Sequence, residues 1–478
     1  MGWSSTEYNA NNAWNVKFST GNRGNPNKNN SNYVRPVLAF YNKLWSCKKM
    51  DAIQLSLFDD DMVNQIELDE LFEAYYVCRQ NKRRTYNALA FEVDFENNLV
   101  ELWRDINQHK YYPGRSIAFI VDKPVLREVF AADFRDRIVH HLLINKLNYI
   151  FEKKFIEDSY SCREGKGTLY GVKKIASYMK ECSENYTKDC YVLKMDIKSF
   201  FMSIDKKILF RKVRELVVEN YFEADQELII ELLHKIIFNC PEKNCLIKGK
   251  RSDWKGLPKS KSLFTSDQYK GLPIGNLTSQ IFANYYMSEF DDYVTKELGI
   301  KYYGRYVDDF VIIHPDKQFL IDVQPKLRKF MEEHLDLTLH PKKVYLQHYT
   351  KGVKFIGAVI KPHREYIANR TKGNLYEKMD IFNRKISKDY KGAKNSLDDV
   401  VSSINSYLGF MIHYKSFKIR RKMLQQKWSP LWKKYIKVSE NMDKLEIKHK
   451  YKTNVRQIAK LRAQRRKRLN YLYKQVNG

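Results

Sequence analysis

No apolar run in this 478-residue chain approaches the roughly 18 residues that a membrane-spanning helix needs, so a membrane protein is not expected. The N-terminus lacks the basic-then-apolar pattern of a secretory signal. Cysteine is scarce: there are seven, an odd number without framework spacing. That argues against a disulfide scaffold and fits a reducing, cytoplasmic setting. Cys240 and Cys245 form a Cys-x4-Cys pair, but no His or second pair lies nearby in sequence, so zinc is a minor reading there. The Gly-rich connection at residues 161–168 lacks Walker spacing, which weakens a phosphate-cradle reading. Acid is short: 56 Asp+Glu face 85 Lys+Arg, a formal net charge of +29 at pH 7. So large a cationic excess predicts a polyanionic partner.

What is present begins with size. A chain of this length can bury two or three packed units, and 43% hydrophobic residues support a real core. Tyr (33) and Phe (26) are plentiful; most are expected in the core, and the rest suit stacking on bases and sugars. Residues 1–45 differ from the remainder. Residues 8–33 carry roughly ten Asn with Gly and Ser between them, which reads as a flexible polar arm. From about residue 51 to 110 the pattern is helical, with Leu68, Leu71, Phe72, Tyr75 and Tyr76 at helical spacing. A second helix carries Leu99, Leu102 and Ile106 on one side. Lys82-Arg83-Arg84 reads as a solvated face or a template contact.

The most informative stretch is Tyr306-Val307-Asp308-Asp309. β-formers flank it on both sides, so it reads as strand, tight turn, strand with two carboxylates at the tip. An Asp-Asp tip alone is ordinarily solvated surface. A second block changes that reading. The apolar run Tyr191-Val192-Leu193 leads through Lys194-Met195 into Asp196, a buried strand ending in an acid. A carboxylate there is costly unless something positive binds it. Side by side, the two elements would gather Asp196, Asp308 and Asp309, whose mutual repulsion a hard divalent cation relieves. Two such ions are a known device for in-line phosphoryl transfer.

In this order the blocks resemble a prokaryotic reverse transcriptase over about residues 65–422. The resemblance implies an α/β (α+β) right-hand polymerase with helical and hairpin fingers, an antiparallel-sheet palm and a helical thumb. It makes Asp196, Asp308 and Asp309 catalytic, with Ile197 joining them as a metal ligand. The cofactor it implies is a pair of Mg²⁺ ions, with Mn²⁺ able to substitute. It places Lys123, Arg127, Phe201, Gly275, Asn276 and Lys343 at the incoming nucleotide. Lys123 and Arg127 would reach the triphosphate, Phe201 would lie under the sugar and disfavour a 2′-hydroxyl, and Lys343 would protonate the leaving pyrophosphate. Template or primer contacts fall to Arg163, Lys166, Tyr306, Phe355, Gly357, Lys415 and Arg420. Asp136 and Arg137 would pair across fingers and palm, and His140 and His141 read as structural.

Within that family, residues 254–264 and Pro273-Ile274-Gly275-Asn276 are similar to the diversity-generating retroelement and antiviral-defence members, where other relatives carry Pro-Gln-Gly. Ile lacks the polar contacts of Gln, so looser base selection is expected. The Asn-rich arm also resembles the end of a diversified lectin-like protein, and as such would be a translated template repeat. The expected divisions are residues 1–45 arm, 46–190 N-terminal helices and fingers, 191–365 palm, 366–436 helical thumb, and 437–478 basic tail on structured RNA. The implied partners are template RNA, the cDNA product, deoxynucleoside triphosphates and a small accessory protein, with no membrane; oligomeric state is open. The implied activity is RNA-directed DNA synthesis for mutagenic retrohoming. The alternatives are an antiviral-defence reverse transcriptase using its own noncoding RNA and a non-catalytic RNA-binding scaffold. No endonuclease or RNase H signature is visible.

Overall fold

The computed structural model describes residues 65–80, 85–122 and 125–452. The Asn-rich arm, residues 82–84, Lys123 and the cationic run at 462–468 lie outside the described residues. Helices α1 (Leu68–Gln80) and α2 (Phe95–Asn107) follow the apolar spacing of the sequence. The first buries Leu71, Phe72 and Tyr75, the second Leu99, Leu102 and Ile106. An antiparallel hairpin follows, β1 (Ser116–Val121) with β2 (Arg127–Ala131), paired from Ile117↔Ala131 to Val121↔Arg127. Asp133 then caps the long helix α3 (Phe134–Lys154) by accepting from the Arg135 N–H.

Helix α4 (Thr168–Cys182) precedes β3 (Tyr191–Ile197). After Asp196 come a short helix, Phe200–Ser203, and, beyond a break at Ile204, α5 (Lys206–Asn220). The break belongs to Asp205, whose carboxylate accepts from the N–H groups of Lys207 and Ile208 and so starts a new helix. After α6 (Gln226–Ile237) comes β4 (Cys245–Ile247), which pairs in parallel with β1 and makes the hairpin three-stranded. Helix α7 (Leu277–Tyr286) leads to β5 (Tyr302–Tyr306), β6 (Asp309–His314), α8 (Lys317–Leu335) and β7 (Leu339–His348).

Strands β5-β6-β3-β7 form one antiparallel sheet in that order. Both of its faces are covered, which is why Phe310-Val311-Ile312-Ile313 is apolar without a break. Alternation sends Leu193, Met195, Phe310 and Ile312 into a core shared with α1–α3 and α5–α8. Val192, Val311 and Ile313 enter a second core with α4 and the C-terminal elements. Those elements are a small sheet, β8 (Val353–Phe355), β9 (Ala358–Lys361) and β10 (Arg364–Ile367), then helices α9 (Asn369–Lys388) and α10 (Leu397–Met411). A hairpin, β11 (Ile436–Val438) with β12 (Leu445–Ile447), closes the described chain. Residues 437–452, expected in a basic tail, are thus folded: Leu445 is buried, and Asn405 on α10 bonds both its N–H and its C=O. Among the described residues no helix is long and apolar enough to cross a membrane.

Candidate active site

The sheet register places Asp196 directly opposite Asp309, each at the end of its strand. Tyr306 pairs with Asp309, so Val307 and Asp308 form a two-residue hairpin turn. Asp308 keeps a partly exposed edge. Burial, then the charges of Asp309 and Asp196, push its carboxyl up to about 6, while the Arg127 guanidinium pulls the other way. The three acids therefore share one electrostatic site, with Arg127 of the β1–β2 hairpin within its field.

Two lysines complete this site. Lys343 Nζ lies 2.6 Å from Asp196 Oδ2. Lys194, on the same face of β3 as Asp196, lies 3.0 Å from Asp309 Oδ2. Lys343 reaches Asp196 because β7 loses register there. Met195 pairs with Val344 and Ile197 with Leu339, so His340-Pro341-Lys342-Lys343 bulges out opposite Asp196. Pro341 has no N–H to give the ladder, which is the local reason for the break. Among the described residues no three His, Cys, Asp or Glu side chains are gathered tightly enough to hold a metal ion on their own. The donor set is nonetheless all carboxylate oxygen, crowded enough to raise Asp308, and the two ammonium groups occupy the positions where positive charge is wanted. That chemistry suits a hard divalent cation completed by phosphate oxygens.

The turn itself is strained. Val307 has φ +58°, a left-handed conformation that a β-branched side chain rarely adopts. Arg305 holds it there. This guanidinium is fully buried, ion-paired to Asp291 through Nε (2.7 Å) and Nη2 (2.5 Å). Its Nη1 donates to the Val307 carbonyl at 3.0 Å. Tyr303 donates to Asp291 at 2.6 Å and completes the pair's hydrogen bonding.

The other expected site residues divide into those near the acids and those engaged elsewhere. Phe201 is half-buried against Phe200, which is the core member of the two. Tyr306 is half-buried beside the acids, and Ile197 is buried, paired with Leu339. Phe355 is buried under Lys194, whose Nζ lies 5.9 Å from the ring centroid. Ile356 and Gly357, at φ +44° and +80°, make the β8–β9 turn. Lys415 is exposed. Gly275 has φ +126°, and a Cβ there would meet Val129 Cγ1 at 2.9 Å.

Five expected contacts fall on residues engaged within the protein itself. Asn276 is buried and accepts from the Ala132 N–H at 3.1 Å, so it ties α7 to β2 and does not face a nucleotide. Arg163 donates to Glu152, Ile156 O and Ser159 O, leaving little for a template phosphate. Lys166 is bound to Glu157 and to the Tyr170 hydroxyl. Arg420 is buried and donates to the carbonyls of Asn441 and Met442, fixing the loop between β11 and β12. Asp136 accepts from the Gly114 N–H and Tyr111 hydroxyl while Arg137 donates to Ala132 O, so the expected pair is replaced by two separate ties. Sequence reasoning missed Lys194 and Arg305. A period-two reading of β3 puts Lys194 on the face of Asp196, and an arginine inside an apolar strand implies a buried partner.

An antiparallel sheet with an acid ending its central strand, two acids on the neighbouring hairpin tip and a three-stranded hairpin above them is the palm and fingers of a right-hand polymerase. Residues 125–360 match the family described as "Reverse transcriptase (RNA-dependent DNA polymerase)", and the chain carries a reverse transcriptase domain. Protein YkfC of Escherichia coli is 22% identical over 277 residues, 51% of this chain and 66% of that protein. A COX1/OXI3 intron 2 protein of Saccharomyces cerevisiae is 23% identical over 303 residues, 55% of this chain and 34% of that protein. The chain thus spans under two thirds of the length of these relatives. Among solved structures, apo telomerase from Candida tropicalis is similar at TM-score 0.40 and 14% identity, covering 65% of this chain and 59% of that one. Telomerase from Candida albicans with a fragment of telomeric RNA is similar at TM-score 0.39 and 13% identity, covering 65% and 55%.

Proposed function

We propose that the protein is an RNA-directed DNA polymerase that copies a specific template RNA into cDNA. The observation that carries this reading is the Asp196↔Asp309 register beneath a strained turn that presents Asp308 to both. In this reading Asp196 and Asp308 hold the divalent cations, with Asp309 beside them and the Ile197 carbonyl in reserve. Bound Mg²⁺, or Mn²⁺ in its place, supplies activation of the primer 3′-hydroxyl and neutralises the triphosphate. Lys343, paired with Asp196, would serve as proton donor to the departing pyrophosphate. Lys194 stays on Asp309 and keeps its charge compensated. Arg127 faces the triphosphate from the fingers, and Phe201 lies against the sugar.

Primer extension on an RNA template by wild type and Asp308→Ala tests this. Wild type is expected to extend with Mg²⁺ or Mn²⁺ and the variant to show no extension. A wild type that never incorporates deoxynucleotides would return the chain to an RNA-binding scaffold. For biological role we favour mutagenic retrohoming of a diversity-generating retroelement, on Pro273-Ile274-Gly275-Asn276 and residues 254–264. An antiviral-defence role with a dedicated noncoding RNA is the second reading, since those members share the same residues. Errors concentrated at template adenines support the first; an even error spectrum supports the second.

A further inference from the structure

Between α6 and Gly271 the chain inserts a segment whose outer edge, residues 248–261, carries six Lys or Arg and one acid, Asp253. That acid serves its own turn, accepting from the Lys250 N–H at 2.9 Å. Lys255, Lys259 and Lys261 are exposed, as is Lys198 beside them, and among the described residues none of the four has a carboxylate partner. A lysine-rich loop is ordinarily a solvated face. Two observations separate this one from that.

The loop is pinned from below. Glu128, on β2 next to Arg127, is 1% exposed and accepts from Trp254 Nε1 at 2.7 Å, Ser262 Oγ at 2.6 Å and the Leu263 N–H at 2.7 Å. A carboxylate is costly to bury unless it is fully hydrogen-bonded, and all of these bonds go to one loop. Thr265 Oγ1 and Ser266 Oγ tighten it further by donating to the carbonyls of Lys259 and Ser262. Glu128 thus fixes where the lysines stand.

The loop also stands at the nucleotide site. Ser199, in the turn just after Asp196, donates from Oγ to Ser260 Oγ at 3.1 Å, and Ser260 lies between Lys259 and Lys261. Met202, Leu263, Ala118 and Phe130 form a small separate core, with Phe201 and Trp254 packed against it. The insertion is therefore the wall behind Phe201, joined to the fingers hairpin on one side and to the turn after Asp196 on the other.

We infer that Lys255, Lys259 and Lys261 form a ledge that binds the polyphosphate of the incoming deoxynucleoside triphosphate, an inference that rests on the polymerase reading above. Ammonium groups suit this role, because they attract phosphate as point charges without the fixed geometry of a guanidinium fork, so the same ledge can guide pyrophosphate out. The template strand is the other source of phosphate, and the experiment separates the two.

The full chain carrying Lys255→Gln, Lys259→Gln and Lys261→Gln together is compared with wild type on poly(rA)–oligo(dT) with dTTP. All three side chains are exposed, so the variant is expected to fold. The KM for dTTP should rise about fivefold to tenfold, as for loss of two or three partly exposed ion contacts, with kcat within about twofold. Inorganic tripolyphosphate should lose inhibitory potency in parallel. The template–primer Kd should hold, and the matching Lys→Arg variant should restore the KM. An unchanged KM, or a weaker template–primer Kd with KM unaffected, overturns the ledge while leaving the polymerase standing. A wild type without extension overturns the reading beneath it.

Discussion

A guanidinium with no exposed surface must place its donors inside the protein, and Arg305 places one on the turn that carries Asp308. Its pairing with Asp291 offsets the burial; the bond to the Val307 carbonyl offsets the cost of a β-branched residue at φ +58°. A lysine ammonium cannot reproduce that fork. Arg305→Lys is therefore expected to lower the melting temperature and to slow primer extension by about tenfold or more, since misplacing a reacting group is costly. Glycine adopts the left-handed turn freely. Adding Val307→Gly to Arg305→Lys should then recover part of the rate, whereas Val307→Gly alone should not raise it. A rate that follows the melting temperature, with no recovery in the double variant, would reduce Arg305 to a core ion pair. At this scale the acids were legible because they interrupt apolar, strand-forming runs. Arg163, Asn276 and Arg420 were not, because a polar residue looks the same in sequence whether it faces a ligand or ties down the backbone.

The β1–β2 hairpin and the turn that leads into α7 meet along β2, where the Phe130 N–H donates to Ile274 O and Asn276 accepts from Ala132. Gly275 sits between these bonds at φ +126°, with Val129 Cγ1 2.9 Å and Phe130 O 3.2 Å from any added Cβ. Gly275→Ala should cost about 2–4 kcal/mol in stability, from backbone strain plus displacement of β2, and raise the KM for nucleotide. Denaturant unfolding and extension kinetics check the two parts. Helix α3 meets the same joint with a titratable residue. Burial holds the His140 imidazole down at about 3, with the like charges of His141 and Arg137 pushing the same way, and among the described residues its Nδ1 has no hydrogen-bond partner. The neutral ring thus stabilises the fold above its unfolded value of 6.5, and that stability is lost as pH falls from 6.5 toward 3. Asp136, raised to about 6 by burial, acts in the other direction: its contribution is full below 3.8 and is lost as pH rises through 6. His140→Leu should flatten the acid limb, recovering up to about 1.4 kcal/mol per pH unit below pH 6.5, read from unfolding at pH 7 and pH 5. The helices and the acid hairpin could be read from spacing. Strand β4 could not, because Cys245-Leu246-Ile247 is too short to show a period and its partner β1 lies far away in sequence.

Over the whole molecule, charge is the property most open to reading in the sequence and the least local in its effect. The formal excess of +29 is spread over the chain, but residues 453–478 hold eight Lys or Arg and no Asp or Glu. The β11–β12 hairpin is held to α10 by Asn405 and to the preceding helical segment by Arg420, and removing everything after Lys452 leaves those ties intact. Truncation there is expected to leave the melting temperature and extension on a short template–primer little changed. Affinity for a long structured RNA should fall, because every phosphate that no longer meets a cation keeps its condensed counterions. The diagnostic is the salt dependence. On single-stranded RNA, neutralising four fewer phosphates would reduce the slope of log K against log salt by about 3, at about 0.7 per phosphate. If the truncated chain keeps the slope of the full chain, those cations do not touch RNA, and the polyanion-binding surface lies within residues 1–452.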